Sequence, residues 1–280
     1  MVDVMKFLKR LARNWVPPGL ISIYRFLFTD GIRFVGHYAS WRAASDASTG
    51  YDTDTILARV STASAKVKSG EAVYERDSVL FDKVEHSFPL LAVLMKAAAE
   101  KGGKLTVLDF GGSLGSSYFQ CKHFLPDDLN LNWCVVEQEK FVRRGREAFA
   151  SNELQFFFSI QECMAQHKPD VVLFASVLQY LEHADQIVDA AVATGAEYIA
   201  IDRTPFIALD TDWLCVQHVP ASIYKASYPC AVLSLSRLKQ QLCDRFVLVA
   251  EFDGLGGRSH IRNGVQQIPF QYKGMIWQRR

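Results

Sequence analysis

The chain of 280 residues contains no Cys-x-x-Cys pair, and its six cysteines, at positions 121, 134, 163, 215, 230 and 243, are scattered. That spacing argues against zinc ligation or a disulfide framework and favours reduced thiols in a core. No excess of one charge accumulates either, because 31 basic residues stand against 30 acidic ones for a formal net charge of +1. Without a basic field, nucleic acid is not expected as a partner. Histidines and carboxylates form no cluster with ligand spacing, so no metal is expected. There is no tandem repeat, no signal peptide with a small-residue cleavage site and no uninterrupted apolar run of about 18 residues. Together these absences point to a cytoplasmic protein. What the chain does have is apolar substance, 49% of its residues, which is ample for one large domain or for a domain with an appendage.

The most informative stretch is Leu105-Thr106-Val107-Leu108-Asp109-Phe110-Gly111-Gly112-Ser113-Leu114-Gly115, which reads as a strand emptying into a glycine-rich turn ahead of a helix. Such turns let backbone approach a ligand that side chains would exclude, and they sit at the carboxyl edge of parallel sheets where cofactors bind. A dinucleotide fingerprint would demand glycine where Ser113 and Ser116 stand. The register acid-x-Gly-x-Gly-x-Gly fits better, placing Asp109, Gly111, Ser113 and Gly115 with one serine in a glycine position. In that register the segment resembles the first motif of the class I S-adenosylmethionine-dependent methyltransferases. The resemblance implies that Asp109, Gly111, Gly112, Ser113 and Gly115 hold S-adenosylmethionine.

Downstream, Asn132-Trp133-Cys134-Val135-Val136-Glu137 is an apolar strand ending in a carboxylate, where an acid that accepts hydrogen bonds from vicinal ribose hydroxyls is expected. Further apolar strands are read at Leu154 to Ser159, Asp170 to Ser176 and Tyr198 to Asp202. In the family, the residues past the third strand flank the adenine, which assigns Ser159 and Ile160 to it, and Ser176 closes the fourth strand beside the cofactor. Two final strands, Phe246 to Phe252 and Tyr272 to Trp277, have no room for a covering helix between them and are expected to pair antiparallel. The expected fold is therefore a doubly wound, Rossmann-like α/β sheet of seven strands, whose order in the family is 3-2-1-4-5-7-6 with the last strand antiparallel.

Residues 1–80 differ in character from the rest of the chain and are expected to form an N-terminal helical extension or cap on a domain spanning 81–280. Met5 to Arg13 is a basic amphipathic helix candidate that fits either peripheral contact of residues 1–28 with an anionic membrane or packing on the domain. Helices are predicted over Thr55 to Lys68, Phe81 to Glu100 and Ser234 to Asp244. The long connection from Thr204 to Ala231 reads as an acceptor lid, and the segment from Asp253 to Pro269 as a mobile loop.

A wider resemblance is carried by Tyr38-x-x-Trp41-x-x-Ala44, Gly50-Tyr51-Asp52, Tyr74-Glu75-Arg76-Asp77, Ile201-Asp202-Arg203-Thr204-Pro205 and Ser227-Tyr228-Pro229. It is similar to a family of methyltransferases found in bacterial surface-polysaccharide gene clusters, and implies methylation of a small-molecule or glycan hydroxyl. A hydroxyl acceptor calls for a general base, for which the sequence offers His183, then His260 and Asp202. Arg203, His218, Tyr228 and Arg258 are the candidates for acceptor binding, the arginines for a phosphate or carboxylate. A non-catalytic nucleoside-binding protein on the same scaffold, and a nicotinamide-dependent oxidoreductase, remain as alternatives. The sequence assigns no oligomeric state.

Overall fold

The computed structural model describes residues 31–50, 53–69, 71, 74–76, 79–81, 86–220 and 226–280. The amphipathic segment at 5–13 and the candidate membrane contact at 1–28 lie outside these residues, as do Tyr51 and Asp52.

A hydrophobic run becomes a buried strand when both of its faces are covered, and six consecutive elements do this here. They alternate as β4 (Lys104–Phe110), α4 (Ser116–Lys122), β5 (Asn130–Val136), α5 (Glu139–Ala148), β6 (Leu154–Phe157) and α6 (Ile160–Met164). After them come β7 (Val171–Ala175), a short 3-10 turn at Leu178–Tyr180, α7 (Ala184–Ala193) and β8 (Tyr198–Ile207). Alternate side chains divide between two cores. Leu105, Val107, Trp133, Leu173 and Ala200 pack on one face; Leu108, Cys134, Phe174, Ile199 and Ile201 pack on the other. The first face is covered by α3 (Phe88–Glu100), α4 and α5, and the second by α7 and α8 (Leu235–Cys243). Every residue of β8 is buried, as its central position requires.

The sheet has ten strands among the described residues, not the expected seven. The additional ones are β1 (Arg33–Val35), β9 (Trp213–Val219) and β10 (Ala226–Ser234), which join β11 (Phe246–Asn263) and β12 (Gln266–Arg279). The order is β10-β9-β1-β11-β12-β8-β7-β4-β5-β6, and β10 also pairs with β8 through Leu233 and Phe206. At this end the sheet therefore closes on itself, around a small core of Phe34, Ile207, Cys215, Val232, Ile261 and Phe270.

Several expectations are corrected by these pairings. The segment read as an acceptor lid, 204–231, is largely strand, since β9 and β10 pair antiparallel from Trp213 against Val232 to Val219 against Ala226. The segment read as a mobile loop, 253–269, is the continuation of β11 and β12, turning only between Asn263 and Gln266. The helix expected from Phe81 starts at Phe88 with Pro89 in its first turn, and Val79–Phe81 instead forms β3, paired with β2 (Tyr74–Arg76). The helix read from Thr55 starts at Thr53 as α2 (Thr53–Lys68), after a shorter α1 (Trp41–Asp46). The segment ahead of residue 81 is not purely helical, for β1 lies between β9 and β11 in the large sheet. No helix among the described residues is long and apolar enough to cross a membrane.

Candidate functional site

The parallel strands β4, β5, β6 and β7 all deliver their carboxyl ends to one cleft of about 1180 Å³. Crevices at this edge are where α/β sheets hold ligands. Gly111, Gly112 and Ser113 from the turn after β4 line it, together with Glu137 after β5 and Ser159 and Ile160 after β6. Ser176, Arg203, Tyr228 and Arg258 line the remainder.

The turn is held by backbone. Gly111 donates its N–H to the carbonyl of Val136 at 2.8 Å, which ties the glycine turn to the end of β5. The backbone N–H of Gln138 donates to the Glu137 carboxylate at 2.6 Å, and the Ser113 N–H lies near enough to help hold its pKa down. Enclosure raises the pKa of Glu137 and these two donors oppose the rise. Gly111 has a φ of +71°, and a Cβ there would collide with Val177 of the loop after β7. A Cβ on Gly112 would stand 2.5 Å from Asp109 Oδ2. Both positions therefore require glycine for room, and Gly111 for conformation as well.

Beneath the turn, Asp109 is fully buried and does not line the cleft. Its Oδ2 accepts a hydrogen bond from Trp133 Nε1 at 3.0 Å, while Oδ1 has no partner among the described residues. Burial pushes its pKa up to about 7, against the pull of the Trp133 hydrogen bond and the Arg203 charge. Gly115, with φ +97°, caps α4 rather than lining the cleft.

Among the described residues, the non-glycine positions with positive φ are Ser113 (56°), Ser176 (61°) and Arg203 (50°), and all three line this one cleft. Such conformations cost of order 1–3 kcal/mol each, and they concentrate where a site needs fixed geometry. Ser176 is fixed twice: its N–H donates to the Asp202 carbonyl at 2.9 Å, and its Oγ accepts from Gln179 Nε2 at 3.0 Å.

The far wall is built by Tyr180, Gln217, Tyr228 and Tyr272, of which the sequence pointed to Tyr228 as an acceptor contact. Tyr180 donates to Gln217 Oε1 at 3.1 Å, Gln217 Nε2 donates to the Tyr228 hydroxyl at 3.3 Å, and the two tyrosine rings meet edge-on at 5.4 Å. Tyr272 joins them in the lining. Tyr180 comes soon after the fourth strand, which was a usable signal; Gln217 lies in a strand read as loop and offered none.

The candidate bases are not gathered at the cleft. His183 is exposed at the N-cap of α7, and His260 lies half-buried on β11 opposite Pro269; neither lines it. Asp202 is buried behind the lining, with Oδ1 accepting from Ser87 at 3.4 Å and Oδ2 lying 3.7 Å from Arg203 Nη1. His218 sits on β9 opposite Arg33, outside the lining, with its pKa lowered by burial and then by that arginine. Among the described residues no three His, Cys, Asp or Glu side chains converge as a metal site would require.

No family model matches the chain, and no curated protein matches it. Solved structures do. An O-methyltransferase family protein from Burkholderia thailandensis is 14% identical with a TM-score of 0.46, covering 84% of this chain and 65% of its own. The N-terminal domain of EvdMO1, determined in the presence of SAH and D-fucose, is 15% identical with a TM-score of 0.45, covering 82% of this chain and 98% of its own. A 1,6-didemethyltoxoflavin-N1-methyltransferase from Burkholderia thailandensis, with 1,6-didemethyltoxoflavin and S-adenosylhomocysteine bound, is 14% identical with a TM-score of 0.41, covering 88% and 99%.

Proposed function

We propose that this protein is an S-adenosylmethionine-dependent methyltransferase that methylates a hydroxyl of a small molecule or glycan precursor, consistent with the surface-polysaccharide family it resembles. The observation that carries the reading is the meeting of the glycine turn with Glu137. Seven neighbouring strands support it: counting β4, β5, β6, β7, β8, β11 and β12 as first to seventh, their spatial order is 3-2-1-4-5-7-6. The last of these is antiparallel to both of its neighbours.

The residues present suit this cofactor. The positions of Gly111 and Gly112 leave no room for a side chain, so the turn offers a ligand its backbone. Glu137 supplies a carboxylate that accepts hydrogen bonds from a ribose diol, and Ser159 and Ile160 supply a wall for a flat base. When bound, S-adenosylmethionine supplies a methyl group activated by its sulfonium. The protein then has to align an acceptor and exclude water, and the clamped Ser176 and the Tyr180–Gln217–Tyr228 wall are suited to do so. None of the histidines considered as bases lines the cleft, so in this reading the lining supplies alignment and the hydroxyl proton is passed to a base from solvent.

The test is incubation of the purified chain with labelled S-adenosylmethionine and a panel of nucleotide sugars and lipid-linked glycans. Label transferred to one of them, with S-adenosylhomocysteine formed, supports the proposal. Tight cofactor binding with no transfer favours the second reading, a cofactor-binding protein without turnover, which the outlying histidines favour. Binding of a nicotinamide dinucleotide instead would remove both.

A further inference from the structure

We infer that the acceptor carries an anionic group, and that Arg258 is the residue that recognises it. The inference rests on the methyl-transfer reading and concerns the part of the cleft lined by Tyr180, β8, β10, β11 and β12, taken as its acceptor half. Among the described residues that line the cleft, Glu137 is the one carboxylate, and it belongs to the cofactor half. The acceptor half holds two guanidinium groups, from Arg203 and Arg258, beside three tyrosines.

The two arginines differ. Arg203 has Asp202 at 3.7 Å and Asp109 near enough to lower that acid's pKa, so its charge is offset from within the fold. Arg258 lines the cleft while exposed, and no carboxylate lies within ion-pairing distance of it among the described residues. Its placement is built. Along the β11–β12 ladder, Asp253 pairs with Lys273 and Arg258 with Gln271, so Gly254, Leu255, Gly256 and Gly257 all stand opposite the single Tyr272. A bulge of this kind bends a strand and re-aims the side chain that follows it.

The glycines make the bulge possible. A Cβ on Gly254 would lie 3.3 Å from Arg203 Cα, one on Gly256 would collide with the Tyr272 ring, and Gly257 has a φ of +66°. The bulge is thus seated on two other lining residues and delivers Arg258 to the cleft they share. A guanidinium in that position pairs with a carboxylate or a phosphate through two parallel N–H donors. The chemical class of acceptor is therefore a hydroxylated ring bearing such an anion.

The experiment is calorimetric titration of the full chain, saturated with S-adenosylhomocysteine, with glucose, glucuronate and inorganic phosphate at constant ionic strength. We expect glucuronate or phosphate to bind at least tenfold more tightly than glucose. That preference should fall to within twofold in Arg258→Met and be partly restored in Arg258→Lys, with S-adenosylhomocysteine affinity and melting temperature unchanged in both variants. Preference for glucuronate alone identifies a carboxylate, and preference for phosphate alone a phosphoryl group. No binding of either anion, equal binding of glucose, or a preference that survives Arg258→Met overturns the inference. Failure of S-adenosylhomocysteine itself to bind, with anion binding through Arg258 intact, sinks the cofactor reading instead.

Discussion

The Gly111 backbone N–H donates to the Val136 carbonyl at 2.8 Å, so the end of β5 and the turn after β4 form one surface. Residues distant in sequence meet here because β4 and β5 are adjacent parallel strands in register, Phe110 against Val136. Substitutions in the turn should therefore be felt as loss of ligand as well as loss of stability.

Gly111→Ala and Gly112→Ala are each expected to destabilise the fold by about 1–3 kcal/mol, because a Cβ meets Val177 in one case and Asp109 in the other. S-adenosylhomocysteine binding should weaken in both. Gly195→Ala is the control: its φ is +78° but nothing lies within 4 Å of a Cβ there, so stability falls by about 1 kcal/mol and binding holds. Thermal melting and calorimetry check all three, and a normal affinity in Gly112→Ala would contradict the proposed seat.

Asp109 gives a pH signature. Its folded pKa of about 7 exceeds the value of about 3.9 for an unfolded aspartate, so the folded state binds more protons in between. Its contribution to stability is thus present at low pH and lost as pH rises toward 7. Relative to Asp109→Asn, the wild-type chain should lose roughly 2–3 kcal/mol between pH 5 and pH 8. Urea midpoints for the two proteins across that range measure it; parallel curves would mean that the carboxyl ionises without cost.

Trp133→Phe removes the one donor to Asp109 among the described residues and leaves both carboxylate oxygens without a partner among them. The expected cost is about 2 kcal/mol, from the unsatisfied buried group. Because that hydrogen bond holds the Asp109 pKa down, its loss raises the folded pKa further, and the decline of stability with pH should extend to higher pH in Trp133→Phe. Denaturant titrations at a series of pH values test both statements.

Cys121, Cys134, Cys163, Cys215 and Cys230 are buried, and Cys243 is exposed. A thiol reagent should therefore label one group rapidly in the native protein and six after denaturation. Rapid labelling of two or more native thiols would contradict this core.

The parts legible in the sequence were those written by local pattern. Apolar runs marked β4 to β8, and Gly111 to Gly115 marked the turn, because covered parallel strands are continuously apolar and tight turns need glycine. Of the additional strands β1 was missed because its pairing is long-range, between β9 and β11 about two hundred residues further along the chain, whereas β9 and β10 pair locally in a segment read as a lid. Gly254, Gly256 and Gly257 read as loop and serve instead as a bulge inside a ladder. His183 and His260 stand out by sequence position alone, and which way such a residue faces is set by the packing around it.

The most direct measurement is calorimetric titration of S-adenosylhomocysteine into the wild-type chain and into Glu137→Ala. Saturable binding is expected for the wild type, and at least tenfold weaker binding for the variant, about 1.4 kcal/mol. Equal affinities in the two proteins, or no binding by the wild type, would refute a cofactor seat built from the glycine turn and Glu137.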